Sequence, residues 1–275
     1  MKKIIQTING EYLTFEVLEP DKIMNSSAVL IHKNGKALLV NTQFSNEDGR
    51  EIVALLQEKQ LDLKQVIISY SDPDFYFGLD VIQQAFPDIE ISATETTIER
   101  IKKSYSDKLT TWEETLKDNT PAKIVLPNTI LTNEFSFEGE VFQLVGSNKT
   151  RGAFYEKNEQ ILFGSIDFFD HLHIFLADTP DKKEQQEWLA NLLDFQKMNP
   201  KKVIPAHFSG DSKMDSSVLD FTKNYIEYFM QATDKSSTAA ELIKQMTDKY
   251  PTLQGQVNLE LSAKVVKNEL SWNAF

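Results

Sequence analysis

Hydrophobic residues recur along this chain with two spacings, and the switches between them mark its elements. Residues 11–18, 26–33 and 36–41 carry short β-rich runs. Lys33-Asn34-Gly35-Lys36 joins the last two and signals a hairpin through its Asn-Gly pair. Over residues 46–60 the spacing becomes helical, with Ile52, Leu55, Leu56 and Leu61 on one face. A strand over 65–69, a loop over 70–74 and a helix over 75–86 follow, the helix stopped by Pro87-Asp88. "IEISA" reads as the next strand. Residues 95–118 read as a charged helix with Ile98, Ile101, Tyr105 and Leu109 as its buried stripe.

A second β-rich region covers 123–164, with strands expected at 129–133, 140–145, 152–156 and 160–164. Residues 181–197 form a helix that Asp178 or Thr179 can cap and Pro180 can open, with Trp188, Leu189, Leu192 and Leu193 facing inward. "KKVIPAHF" is a short buried strand running into a loop. From about 213 the chain turns helical, first with Val218, Phe221, Tyr225 and Phe229 on one face, then over 238–249 and 257–270. Strands and helices, more strands and helices, then a helical tail predict an α/β fold with two sheets covered by helices on their outer faces. The ten glycines form neither a G-x-G-x-x-G nor a P-loop, so the phosphate-cradling signatures are missing.

Composition narrows the function classes. Of the 275 residues 41% are hydrophobic, and 18 are Phe, which is ample for a packed core. A net charge of −12 repels phosphate backbones, so nucleic acid is not an expected partner. The absence of cysteine excludes disulfides and thiolate metal sites. The N-terminal "MKKIIQTINGEYLTFE" lacks the long apolar core of a signal peptide, and no apolar run approaches the ~20 residues of a membrane helix. The expectation is a cytoplasmic protein with no membrane partner.

Candidate chemistry centres on Ser69–Asp80, "SYSDPDFYFGLD", where acids follow a strand end and precede a helix. With the preceding "VII", this stretch resembles the metallo-β-lactamase superfamily motif His-x-His-x-Asp-His followed by Gly-Gly-Leu-Asp. Tyr70 and Asp72 fall at the two leading His positions, Asp74 at the Asp and Phe75 at the next His. Gly78-Leu79-Asp80 continues the match. "LLVNTQFS" is similar to the family's "LLIDTG", with Asn41 for Asp. "LVGSNKTRGAFYEKNEQILFGSIDFF" resembles a later family stretch and places Ser147 at a ligand His and Ile166 at the metal-bridging Asp. His207, in "VIPAH", matches the last ligand. The likeness spans roughly residues 10–210. It implies a four-layer αββα sandwich over 1–212, with 213–275 as a helical C-terminal extension packed on it as one structural unit.

Two of seven zinc-type ligand positions match. "SDPD" is nearer the "TEPD" of the flavodiiron and di-iron oxygen-binding branch, on whose template Asp72, Asp74 and His207 match, three of six. A dinuclear site needs a bridging anion, and Ile166 coordinates nothing. Ser147 and Tyr70 are poor ligands beside imidazole. The flavodiiron reaction also needs a flavin module, and the tail has no such signature. The resemblance therefore implies a protein with a degenerate dinuclear site, non-hydrolytic, acting in binding, sensing or scaffolding, with no resident cofactor. The alternative is a hydrolase or oxidoreductase with one weakly held divalent ion, iron or zinc, on Asp72, Asp74 and His207. Relatives near this branch commonly pair as dimers, so the resemblance implies a homodimer as one expectation.

Other constellations carry less. Asp74 at a helix start can cap free N–H groups, with His207 bonded to it. His171 and His173, with Asp167 or Asp170, would make a relocated metal site, although His173 matches a family His and belongs to the fold or pocket. Ser147, His207 and Asp74 form the right trio for nucleophilic catalysis but lack a nucleophile elbow. His32 is expected to be incidental. The aromatics Tyr70, Phe75, Tyr76, Phe77, Phe168 and Phe169 should crowd the cleft. Plugging it is the heavier expectation; lining a pocket for a small apolar or aromatic ligand is the other.

Overall fold

A computed structural model describes residues 1–272. The first sheet has seven strands in sequential order: β1 (Ile4–Asn9), β2 (Thr14–Leu18), β3 (Val29–Lys33), β4 (Lys36–Val40), β5 (Asp62–Ile67), β6 (Glu90–Ala93) and β7 (Thr129–Ile130). The first four pair antiparallel and the remaining pairings are parallel. Parallel neighbours need crossovers, and helices provide them. They are α1 (Asn46–Glu58) between β4 and β5, α2 (Pro73–Tyr76) and α3 (Leu79–Ala85) before β6, and α4 (Glu95–Leu116) before β7.

The second sheet is a meander of β8 (Glu134–Phe137), β9 (Glu140–Val145), β10 (Ala153–Glu156) and β11 (Ile161–Phe163). β13 (Lys202–Val203) joins β11 in parallel, while β12 (Phe169–Asp170) pairs separately with β14 (His207–Phe208). The helix α5 (Lys182–Lys197) and the C-terminal α6 (Ser217–Lys235), α7 (Ala239–Lys249) and α8 (Gln256–Val266) cover this half. The extension expected over 213–275 is described through residue 272; its final three residues lie outside the described residues.

Strand alternation builds the layers. Val29 and Ile31 of β3 and Leu38 and Val40 of β4 meet Phe142, Phe154 and Phe163 of the other sheet. Leu30, Ala37 and Leu39, one residue out of phase, point instead to α1, α3 and α4. The order is helix, sheet, sheet, helix, as expected from the resemblance.

Several local expectations change; in α5 the N-cap is Asp181 rather than Asp178 or Thr179, and Leu193 is exposed. β1 is a strand at the edge of its sheet; its alternation between half-buried and exposed positions leaves no apolar run to read. The helix expected over 75–86 is broken at Gly78, where a Cβ would lie 2.1 Å from the Thr42 carbonyl oxygen. The buried stripe of α4 runs through Ile98, Ile101, Ser104 and Lys108, and Tyr105 is exposed. Among the described residues no helix is long and apolar enough to cross a membrane.

Candidate functional site

The cleft opens where β5 ends. Asn41, in the left-handed region at φ 64°, ends β4 and accepts hydrogen bonds from the Ser69 amide and hydroxyl, both at 3.0 Å. The chain then turns through Tyr70 and Ser71 into α2, whose N-cap residue Asp72 makes no side-chain capping bond. Across the cleft the β14 strand brings His207 beside Asp74, with Nε2 and Oδ2 2.8 Å apart. Both are buried, and the imidazole stacks on Phe169 with ring centroids 4.7 Å apart. Its Nδ1 has no hydrogen-bond partner.

Two basic side chains stand in this cleft. Lys108 reaches from α4 and donates to Asp72 Oδ1 and to the Ser71 carbonyl, each at 2.8 Å. Arg151, from the turn before β10, donates from Nε to Asp167 Oδ1 at 2.6 Å, while Asn191 donates to Asp167 Oδ2 at 2.8 Å. Burial penalises the charge on Arg151 and Asp167 alike, and their contact offsets it. The guanidinium also lies 4.3 Å from the centroid of Trp188 and 5.8 Å from that of Tyr70. Burial raises the Tyr70 phenol above its ordinary range.

A cavity of about 460 Å³ occupies the cleft. Tyr70, Asp72, Asp74, Ile166, Phe169 and His207 line it, together with Lys108, Arg151 and Trp188. Trp112 comes from α4, Phe175 and Asp178 from the loop before α5, and Val257 and Leu261 from α8, with Trp272 beyond it. The helical extension therefore supplies one wall. Trp272 donates from Nε1 to Asp178 Oδ1 at 2.6 Å. Burial, reinforced by the Asp72 carboxylate, pushes Asp178 up to about 6.

Among the described residues the expected aromatic plug does not form. Phe75 is buried behind the cavity, edge-on to Tyr70 and His207. Phe77 stacks on Phe44, and Phe168 meets Phe195 under α5. Tyr76 is buried with its hydroxyl unpartnered.

Ser147 does not line the cavity. Gly146, at φ 106°, turns the chain, and Ser147 is exposed beside Asp194 of α5. The trio of Ser147, His207 and Asp74 is therefore not assembled. His171 is exposed and 3.2 Å from Asp170. His173 is buried, with Nδ1 2.9 Å from the Tyr225 hydroxyl, and burial lowers it to about 4. Asp167 is taken by Arg151, so the relocated metal site is not assembled either. His32 lies 3.4 Å from Glu16, on the early strands.

Among the described residues no group of three or more His, Asp or Glu side chains is arranged to hold a metal ion. The fit fails for a positive reason. The Lys108 ammonium already holds Asp72 at 2.8 Å, and a dication on that carboxylate would have to displace it or sit against a like charge. The residues do not fit a two-metal cluster. Sequence reasoning missed Lys108 and Arg151. Lys108 was detectable as a lysine seven residues after Ile101 on a buried helical stripe; Arg151 lies in a turn without periodic signal.

No family model and no curated protein sequence matches the chain. Solved structures do. A metallo-β-lactamase from Pontibacter korlensis aligns at a TM-score of 0.59 with 14% identity, over 82% of this chain and 99% of that one. DIM-1 metallo-β-lactamase aligns at 0.57 with 15% identity, over 83% and 99%. TMB-1 aligns at 0.59 with 19% identity, over 82% and 97%. With four layers in sequence and these likenesses, the chain has the metallo-β-lactamase fold.

Proposed function

We propose that this protein is a non-hydrolytic binding or sensing protein, related to the di-iron oxygen-binding branch, whose cleft receives a small molecule in place of two metal ions. The observation that carries this reading is the pair of internal cations. Lys108 neutralises Asp72, and Arg151 occupies the cleft against Asp167. Lys108 puts a fixed positive charge on Asp72, where the family would recruit a mobile one. With Ile166 at the bridging position and tryptophans in the wall, the cleft suits desolvated organic surface better than a hydrated ion.

Metal content tests it. Protein purified without chelator should carry well below one equivalent of iron or zinc, released by brief dialysis. One tightly held equivalent, lost in His207→Ala, would support the other reading, an enzyme with a mononuclear centre on Asp72, Asp74 and His207. That reading draws on the unpartnered His207 Nδ1.

A further inference from the structure

We propose that the cavity binds an organic ammonium ion, with its charge at Asp178 and its apolar body against the tryptophan wall. The proposal rests on the binding role above and names the ligand class. Both cations of the wall are engaged by acids of their own, Lys108 by Asp72 and Arg151 by Asp167. Asp178 is the acid left over: it accepts from the Trp272 indole N–H, and among the described residues no basic side chain pairs with it, although Lys108 and Arg151 act on it from further off. The next residue, Thr179, also lines the cavity and is buried with its hydroxyl unpartnered.

The rest of the wall suits the body of such a ligand. All three tryptophans of the chain, Trp112, Trp188 and Trp272, line this one cavity. Indole faces attract cations, and one already does so here, since the Arg151 guanidinium sits over Trp188. The volume of about 460 Å³ falls within the range of small-molecule sites. A net charge of −12 favours the approach of cations and opposes that of anions. An adjoining chamber of about 410 Å³ has Arg100 and Lys103 in its wall, but Glu184 and Glu187 share that wall, so it offers no net preference for an anion.

Phenethylamine, 2-phenylethanol and phenylacetate share an aryl body and differ in charge, so titrating each into the full chain separates charge from shape. Intrinsic fluorescence is the readout, because every tryptophan borders the cavity, with calorimetry alongside. The amine should bind about tenfold more tightly than the alcohol, with phenylacetate weakest. Asp178→Asn, which keeps an oxygen for Trp272, should reduce the amine to the level of the alcohol, and Asp88→Asn, an exposed charge control, should change nothing. Equal binding of the three, tightest binding of phenylacetate, or an unchanged amine preference in Asp178→Asn overturns the proposal; the comparison on the unaltered chain stands even if the variant misfolds. Binding of the alcohol or the acid without the amine would sink only the ammonium assignment. Silence from all three, together with one tight metal equivalent, would sink the binding role as well.

Discussion

Single side chains decide the character of this cleft, and Lys108 decides most. Its ammonium is buried and bridges Asp72 to the Ser71 carbonyl, so its removal strands a carboxylate that is itself partly exposed. Lys108→Met should cost about 1–3 kcal/mol in urea denaturation, below the figure for a fully buried pair because Asp72 keeps some contact with water. The same variant should bind zinc measurably more tightly than the parent by calorimetry, because the repulsion on Asp72 is gone. An unchanged zinc isotherm would show that the ammonium is not the obstacle. His173 makes a second argument at this scale. Its native value lies at about 4, against 6.5 in the unfolded chain, so the unfolded state binds the extra proton first as pH falls. Its contribution is intact above pH 6.5 and is lost progressively towards pH 4. His173→Gln should flatten that part of the stability profile, read as the difference in urea midpoint between variant and parent from pH 7 to 4.5.

At the scale of elements, the contact between α1 and the α2–α3 corner fixes where the cleft acids stand. Gly78 separates the two short helices because its α-carbon approaches the Thr42 carbonyl too closely for any side chain, and Gly49 of α1 sits against the Gly78 carbonyl. Gly78→Ala should therefore lower stability by more than 2 kcal/mol, a rough figure for backbone that must move, and should loosen the Asp74–His207 pair. A variant within a few tenths of a kcal/mol of the parent in thermal and urea melts would contradict this close approach. The same comparison shows what periodicity can read. Helices α1 and α5 and strands β3 and β4 were legible because their apolar residues repeat at one spacing on one buried face. β1 and β8 were not, since each lies at the rim of its sheet with alternate positions exposed or half-buried and presents no run. The two-residue β12 and β14 are defined by pairing across the chain, which no local pattern records. In the cleft, Asp72, Asp74 and His207 were found through the resemblance; all three line the cavity, and Asp74 and His207 meet there. The cations were not found, because a lysine on a charged helix and an arginine in a turn look like solvated surface until the fold turns them inward.

For the whole molecule, the question is whether folding is linked to metal. An ion that binds only the folded chain at a hundred times its Kd adds about 2.7 kcal/mol to stability. For a chain of this size that is a rise of about 5–10 °C in thermal midpoint. A dinuclear member of this fold should therefore melt at different temperatures in chelator and in excess zinc. Here Asp72 is already matched from within by Lys108 and Asp74 is held by His207, while Arg151 and Asp167 pair with each other. Of these contacts, Asp74–His207 ties α2 to β14 and so joins the two halves of the sandwich without an ion, while the other two each lie within one half. The midpoint should then move by less than about 1 °C between chelator and a hundred micromolar zinc. Lys108→Met, measured the same way, should regain part of the zinc dependence while melting lower in chelator. A parent chain that gained several degrees with zinc would mean that the ammonium yields its place to the ion, and the internal cations would then be a resting state of a metal site.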